Sequence, residues 1–225
     1  MPRRARFIID DGIYHVMIRG NNHNRIFNCD YDFKYFLELI KEAKVKFEIK
    51  IYHYVLMDNH VHLIIKSQKG INLSEAMKKI NVSYTSYYRR RYGGIGHFFQ
   101  DRFKSYIIQD GKYLLECGRY VELNPVKAGI VKFPDEYKWS SYHLYAEGIR
   151  NDLVDKNPEY DGLSDNKANL MNLYKMYVKD GISEQVNEDK CFREGIYGSD
   201  NFKSEMYKMG LKRVSQKRGR PRNEK

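Results

Sequence analysis

Residues 49–66, IKIYHYVLMDNHVHLIIK, place the tightest limit on the fold. Two runs rich in β-branched and aromatic residues flank Asp58-Asn59, a turn signal. They read as strands over 49–57 and 60–66, paired as a hairpin. Upstream, residues 13–19 (IYHVMIR) read as a strand ending at Gly20-Asn21-Asn22. Asp30 is placed to cap a helix, in which Phe33, Phe36, Leu37, Ile40, Ala43 and Phe47 recur at helical spacing. Downstream, a helix opens at Ser74, runs to about Arg91 and is broken by Gly93, Gly94 and Gly96. Residues 103–109 (FKSYIIQ) read as a fourth strand. Asp110 caps a further helix from Lys112 to about Leu123, which Pro125 ends by disfavouring helical geometry at Asn124. The order β-α-β-β-α-β-α predicts an α+β fold, a ferredoxin-like antiparallel sheet with helices on one face.

This layer spans residues 1–148, with Trp139 and the tyrosines after it closing the domain. Residues 149–163 are polar, with Asn-Pro and Asp-Gly turns, and read as a linker. Residues 164–210 predict a small helical region with Leu170, Leu173, Tyr174, Tyr177 and Val178 as its apolar stripe. Residues 211–225 form a basic tail, expected to be disordered when unbound.

Charge narrows the partners. The net charge is +11, which favours polyanions. The tail carries seven basic residues against one acidic residue, or +6 of that total. Arg89, Arg90 and Arg91 form a second basic cluster, and the 20 tyrosines supply aromatic faces suited to stacked bases. No apolar run approaches the ~20 residues of a membrane span, so no membrane partner is expected. The opening MPRRARFIID lacks the apolar core and cleavage site of a signal peptide. Cys29, Cys117 and Cys191 are far apart with no C-x-x-C, which supports neither a disulfide framework nor a cysteine zinc site. A reducing cytoplasm is expected, in association with the nucleoid.

Two small patterns carry chemistry. In His60-Val61-His62 the alternation of a strand puts both imidazoles on one face, spaced as two ligands of one metal ion. Alone, the pair fits one exposed and one core histidine better than it fits a metal site. Tyr120 and Asn124 are four apart and share a helix face. An amide oxygen can ligate a hard cation, yet Asn124-Pro125 is also an ordinary helix stop.

Taken together these segments resemble a known family. Met57-Asp58-Asn59-His60-Val61-His62-Leu63 is similar to the His-hydrophobic-His motif of the single-tyrosine transposases. The run Arg119 to Gly129 resembles the tyrosine helix of their REP-associated branch, related to the IS200/IS605 transposases. Tyr14-His15-Val16-Met17-Ile18-Arg19-Gly20-Asn21 and Gly96-His97-Phe98-Phe99-Gln100-Asp101-Arg102-Phe103-Lys104-Ser105 resemble two further segments, in the family's order. Asp58 departs from the family's usual proline, which alters the turn before His60 and removes no ligand. The resemblance covers roughly residues 5–145. It implies that His60, His62 and Asn124 hold a divalent ion, Mg²⁺ or Mn²⁺. It also implies that Tyr120 is the nucleophile, forming a 5′-phosphotyrosine and releasing a 3′-hydroxyl on single-stranded DNA beside a hairpin. Relatives include dimers that exchange the tyrosine helix and a branch that works as monomers, so monomer and homodimer both stay open.

The candidate DNA contacts are Arg19, Asn21 and Asn22 at a strand end, Arg89 to Arg91, Arg102 and Lys104 in the Arg-, Gly- and aromatic-rich stretch, and Arg218 and Arg220 in the tail. Arg218-Gly219-Arg220-Pro221 resembles an AT-hook core, which would read a narrow minor groove. Two other readings remain. One is a non-catalytic nucleic-acid-binding protein on the same layer, which would need none of His60, His62, Tyr120 and Asn124. The other is a replication-initiator or conjugative nicking enzyme. In conjugative relaxases the tyrosine precedes the histidine motif, whereas here it follows. A zinc hydrolase is disfavoured because no acidic general base lies near the histidine pair in sequence.

Overall fold

The hairpin forms as expected. In the computed structural model, which describes residues 6–183 and 195–211, strands β2 (Ile49–Met57) and β3 (His60–Ser67) pair antiparallel, with Met57 opposite His60. Strand β1 (Gly12–Arg19) lies on the other side of β3, and β4 (Lys104–Ile108) lies beyond β1. A short β5 (Ile196–Tyr197) completes the order β2-β3-β1-β4-β5. It runs parallel to β4, whereas every other pair is antiparallel. The region expected to hold only helices thus adds a strand to the sheet. Cys191 and residues 212–225 of the tail, with Arg218 and Arg220, lie outside the described residues.

The α+β class stands, with one change in the layers. Helices α1 (Asp30–Lys46) and α2 (Gly70–Tyr92) cover one face, against Tyr14, Val16, Ile18, Val61, Leu63 and Ile65. Helix α3 (Lys112–Lys127) covers the other, against Ile13, Val55, Met57, Ile64 and Ile108. The expectation of helices on one face fails because the strands are apolar on both. Leu63, Ile64 and Ile65 are consecutive and fully buried, the pattern of a strand covered twice. Leu114, Cys117 and Val121 of α3 close this second face. At about 1.5–3 kcal/mol per fully buried large apolar side chain, the contact fixes α3 on the sheet.

A bulge in β2 sets which residues meet α3. Ile51 pairs with Ile65 and His53 with Ile64, leaving Tyr52 as an extra residue. The shift reverses the side-chain alternation. Ile49 and Ile51 therefore join the α1–α2 core, whereas His53, Val55 and Met57 turn to the α3 side.

Helix boundaries also differ from the sequence reading. Cys29, Lys69 and Gly111 precede the three helices, in place of caps at Asp30 and Asp110 and a start at Ser74. Helix α3 does not stop before Pro125 but continues to Lys127. Proline has no N–H for the carbonyl four residues back. The Asn124 side chain makes up the loss, its Nδ2 donating to Tyr120 O at 2.9 Å and Val121 O at 3.3 Å.

Outside α3 pack α4 (Tyr142–Glu147) and α5 (Lys167–Ser183), around Leu115, Leu123, Tyr145, Tyr174 and Val178. Residues 149–163, expected as a linker, are tied down. Leu153, Asn157 and Tyr160 are buried, and the Asp155 N–H donates to Ile51 O at 2.7 Å along the free edge of β2. Helix α6 (Asp200–Lys208) follows β5, capped by the Ser199 hydroxyl. No helix among the described residues is long and apolar enough to cross a membrane.

Candidate active site

The α3-covered face of the sheet carries the two histidines. His60 and His62 alternate with core residues Val61 and Leu63, so both point toward α3, and their ring centroids are 5.0 Å apart. On the neighbouring strand, Arg19 lies opposite His60 and Met17 opposite His62. His15 shares this face. Its Nε2 is 2.8 Å from His62 Nδ1, and the two rings stack at 5.0 Å. Tyr106 of β4 stacks on the other side of His15 at 5.8 Å.

Tyr120 reaches this row from α3. Its ring stands edge-on to His15 at 5.7 Å and to His62 at 6.1 Å, with Lys127 Nζ 4.7 Å from its centroid. Asn124 lies one turn farther along α3. Among the described residues its amide hydrogen bonds run to its own helix. Because the amide nitrogen is committed there, its Oδ1 is the atom left to meet a cation.

Burial tunes the imidazoles. Desolvation lowers His15 to about 3 and His62 well below the usual range. It also lowers His60 to about 4, helped by the charges of Arg19 and His23. All three are neutral at pH 7, the form that coordinates a metal. No group of three His, Cys, Asp or Glu among the described residues could hold an ion unaided. His60, His62 and Asn124 could supply two imidazole nitrogens and an amide oxygen, donor types that suit several divalent ions.

The position of α3 is enforced by a second, fully buried polar cluster. The Glu122 carboxylate accepts hydrogen bonds from Ser141 Oγ (2.6 Å), Tyr174 Oη (2.8 Å) and His53 Nδ1 (2.9 Å). Asn157 Nδ2 donates to His53 Nε2 at 2.9 Å, so His53 carries its proton on Nδ1, toward Glu122. Gly118 permits the close approach, since a Cβ there would come within 2.6 Å of His53 Nε2. From outside, Arg119 donates to Tyr177 O at 3.3 Å and stacks on that ring. Helix α3 is thus bound to β2, α4 and α5 of its own chain.

Five of the candidate DNA contacts line two clefts. Arg19, Arg102 and Lys104 line one of about 330 Å³ with Met17, Gln100 and Asp101, next to the histidine row. Asn21 and Arg89 line a smaller one of about 140 Å³ with Arg25, Tyr88 and His97. The wall between them is chain 98–100, where Asn21 N donates to Phe98 O and Gln100 N to Arg19 O, both at 2.9 Å. Arg89 donates to Gly96 O across the glycine loop, and Arg91 packs over Tyr31 and Tyr92. Arg90 is exposed, as is Asn22, whose φ is 50°.

Sequence reasoning gave His15 and Asn59 no role of their own. Residues 13, 15, 17 and 19 share one strand face, so suspicion of Arg19 could have reached His15. Asn59 gave no comparable signal.

The family described as "Transposase IS200 like" matches residues 9–124, which include His15, His60, His62, Tyr120 and Asn124. A solved structure described as the REP-associated tyrosine transposase bound to a REP hairpin is similar in fold. It has 23% identity and a TM-score of 0.56, over 69% of this chain and 94% of that one. The tRNA(His) guanylyltransferase of Saccharomyces cerevisiae follows at 10% identity over 88% of each chain, with a TM-score of 0.43 that is too low to support an argument. No curated protein sequence matches. With the family match spanning more than half of the sequence and the site residues inside it, the chain belongs to the IS200-like transposases.

Proposed function

We propose that this transposase cuts and rejoins single-stranded DNA beside a hairpin, with Tyr120 as the nucleophile. The observation that carries the reading is the placement of the Tyr120 ring against His15 and His62, on the sheet face where Arg19 lies opposite His60. The Tyr120 oxygen attacks the phosphorus, its proton passes to solvent, and the bond from phosphorus to the 3′-oxygen breaks. The DNA 5′ end is left on the tyrosine, and the departing 3′-oxygen takes a proton from solvent and leaves as a 3′-hydroxyl. Attack by a second 3′-hydroxyl reverses the step and joins strands without another energy source. A divalent ion, Mg²⁺ or Mn²⁺, held by His60, His62 and Asn124 would supply charge neutralisation at the scissile phosphate.

Arg19, Arg102 and Lys104 bind phosphates near the scissile bond, while Asn21, Asn22, Arg89 and Arg90 meet DNA on the other side of the wall. Arg218 and Arg220 add salt-sensitive affinity. The hairpin preference draws on the similar structure, which is described as bound to one. A DNA substrate places the protein with the nucleoid.

End-labelled hairpin oligonucleotides test the polarity. A label at the 3′ end of the DNA should stay with the protein through SDS and a 5′ label should be freed. The reverse pattern would overturn a 5′-phosphotyrosine.

A further inference from the structure

We infer that His15 and Asn59 are positioning residues, each holding one metal-binding histidine in the tautomer that leaves Nε2 free to coordinate. The inference rests on the reading of His60 and His62 as ligands and goes beyond it by naming their outer partners.

A neutral imidazole carries one proton, so a hydrogen bond at one nitrogen decides the state of the other. At His60 the partner is Asn59 Oδ1, 2.5 Å from Nδ1. An amide oxygen only accepts, so His60 Nδ1 must carry the proton and Nε2 keeps its lone pair. The Asn59 amide is in turn oriented by its own Nδ2, which donates to His23 O at 3.2 Å. His23 stands in a left-handed conformation, with φ 61°, and its ring meets Arg19 Nη2 at 2.7 Å. A non-glycine residue there is uncommon, and here it aims a carbonyl at Asn59.

At His62 the partner is His15 Nε2, 2.8 Å from Nδ1. Two arrangements are possible and they exclude each other. If His15 donates, His62 is protonated on Nε2 and cannot ligate through it. If His62 donates from Nδ1, its Nε2 is free and His15 carries its own proton on Nδ1. Coordination through His62 Nε2 requires the second. His15 is built to hold that geometry. It is 1% exposed, on the central strand β1, with its ring between those of His62 and Tyr106. A partner on the far nitrogen is a general feature of metal-binding histidines, and its loss typically weakens metal binding about 10–100-fold.

The test uses the full chain stripped of metal by a chelator. Nitrogen-15 NMR of the imidazoles should show His60 and His62 as Nδ1–H tautomers before any metal is added, against the Nε2–H form that free histidine favours. In His15→Phe, His62 should revert to Nε2–H. Its Mn²⁺ dissociation constant, read from the EPR signal of free Mn²⁺, should rise about 10–100-fold. His15→Gln, which keeps an acceptor near the same place, should restore both readouts. Unchanged Mn²⁺ affinity in His15→Phe, or equal loss in Phe and Gln, would overturn the role of His15. Nε2–H tautomers in the unsubstituted protein would overturn the whole inference, even if His15→Phe failed to fold. Failure of the unsubstituted chain to bind Mn²⁺ would instead remove the ligand reading, and the tautomers would still report on His15 and Asn59.

Discussion

Tyr120 stands edge-on to His62, the ring centroids 6.1 Å apart, although the two residues come from elements on opposite sides of a packing interface. His62 belongs to the sheet and Tyr120 to the helix laid over it. Their meeting therefore depends on how firmly α3 is held, and the fixings are Glu122, Gly118 and Arg119 on the same helix.

Glu122→Ala should destabilise the protein by about 3–5 kcal/mol, because it strands buried donors on Ser141, Tyr174 and His53. The change should appear as a lower urea midpoint, with a fall in strand cleavage under conditions where the protein remains folded. A loss below about 1 kcal/mol would mean that α3 is held mainly by its apolar contacts.

Lys104→Ala should weaken DNA binding about equally for all sequences and reduce the slope of log K against log salt by about one. Lys104 lines the cleft beside the histidine row with Arg19 and Arg102. Titrations at several salt concentrations check this, and an unchanged slope would place the phosphates elsewhere.

Stability should fall as the pH drops from about 6.5, the unperturbed histidine value, toward 4. His15 at about 3, His60 at about 4 and His62 well below normal stay neutral in the folded state, while the unfolded chain takes up protons. The native form is therefore favoured fully above the unfolded value and progressively less below it. Urea unfolding between pH 7.5 and 4.5 should show this slope, reduced in His15→Phe. An identical slope in the variant would mean that His15 does not contribute.

Much of the candidate site's geometry was legible in the sequence because it follows local periodicity. Strand alternation put His60 and His62 on one face, and the four-residue spacing put Tyr120 and Asn124 on one side of a helix. What escaped depends on contacts between elements. His15 becomes part of the site only once β1 is registered against β3, with His15 opposite Ile64 and Met17 opposite His62. The extra residue at Tyr52, which turns His53 toward Glu122, leaves no local signature. Pro125 read as a stop because the compensating bond from the Asn124 side chain depends on its rotamer. The face taken by α3 was hinted at by the apolar run Leu63-Ile64-Ile65, buried on both sides, and was missed.

The covalent adduct tests the central claim most directly. Incubated with a 3′-labelled hairpin oligonucleotide and Mn²⁺, the protein should give an SDS-stable labelled band. Tyr120→Phe should abolish it while leaving DNA binding nearly unchanged, and Tyr106→Phe, at the His15 stack, should retain it. An adduct that persists in Tyr120→Phe would contradict the account and move the nucleophile to another tyrosine.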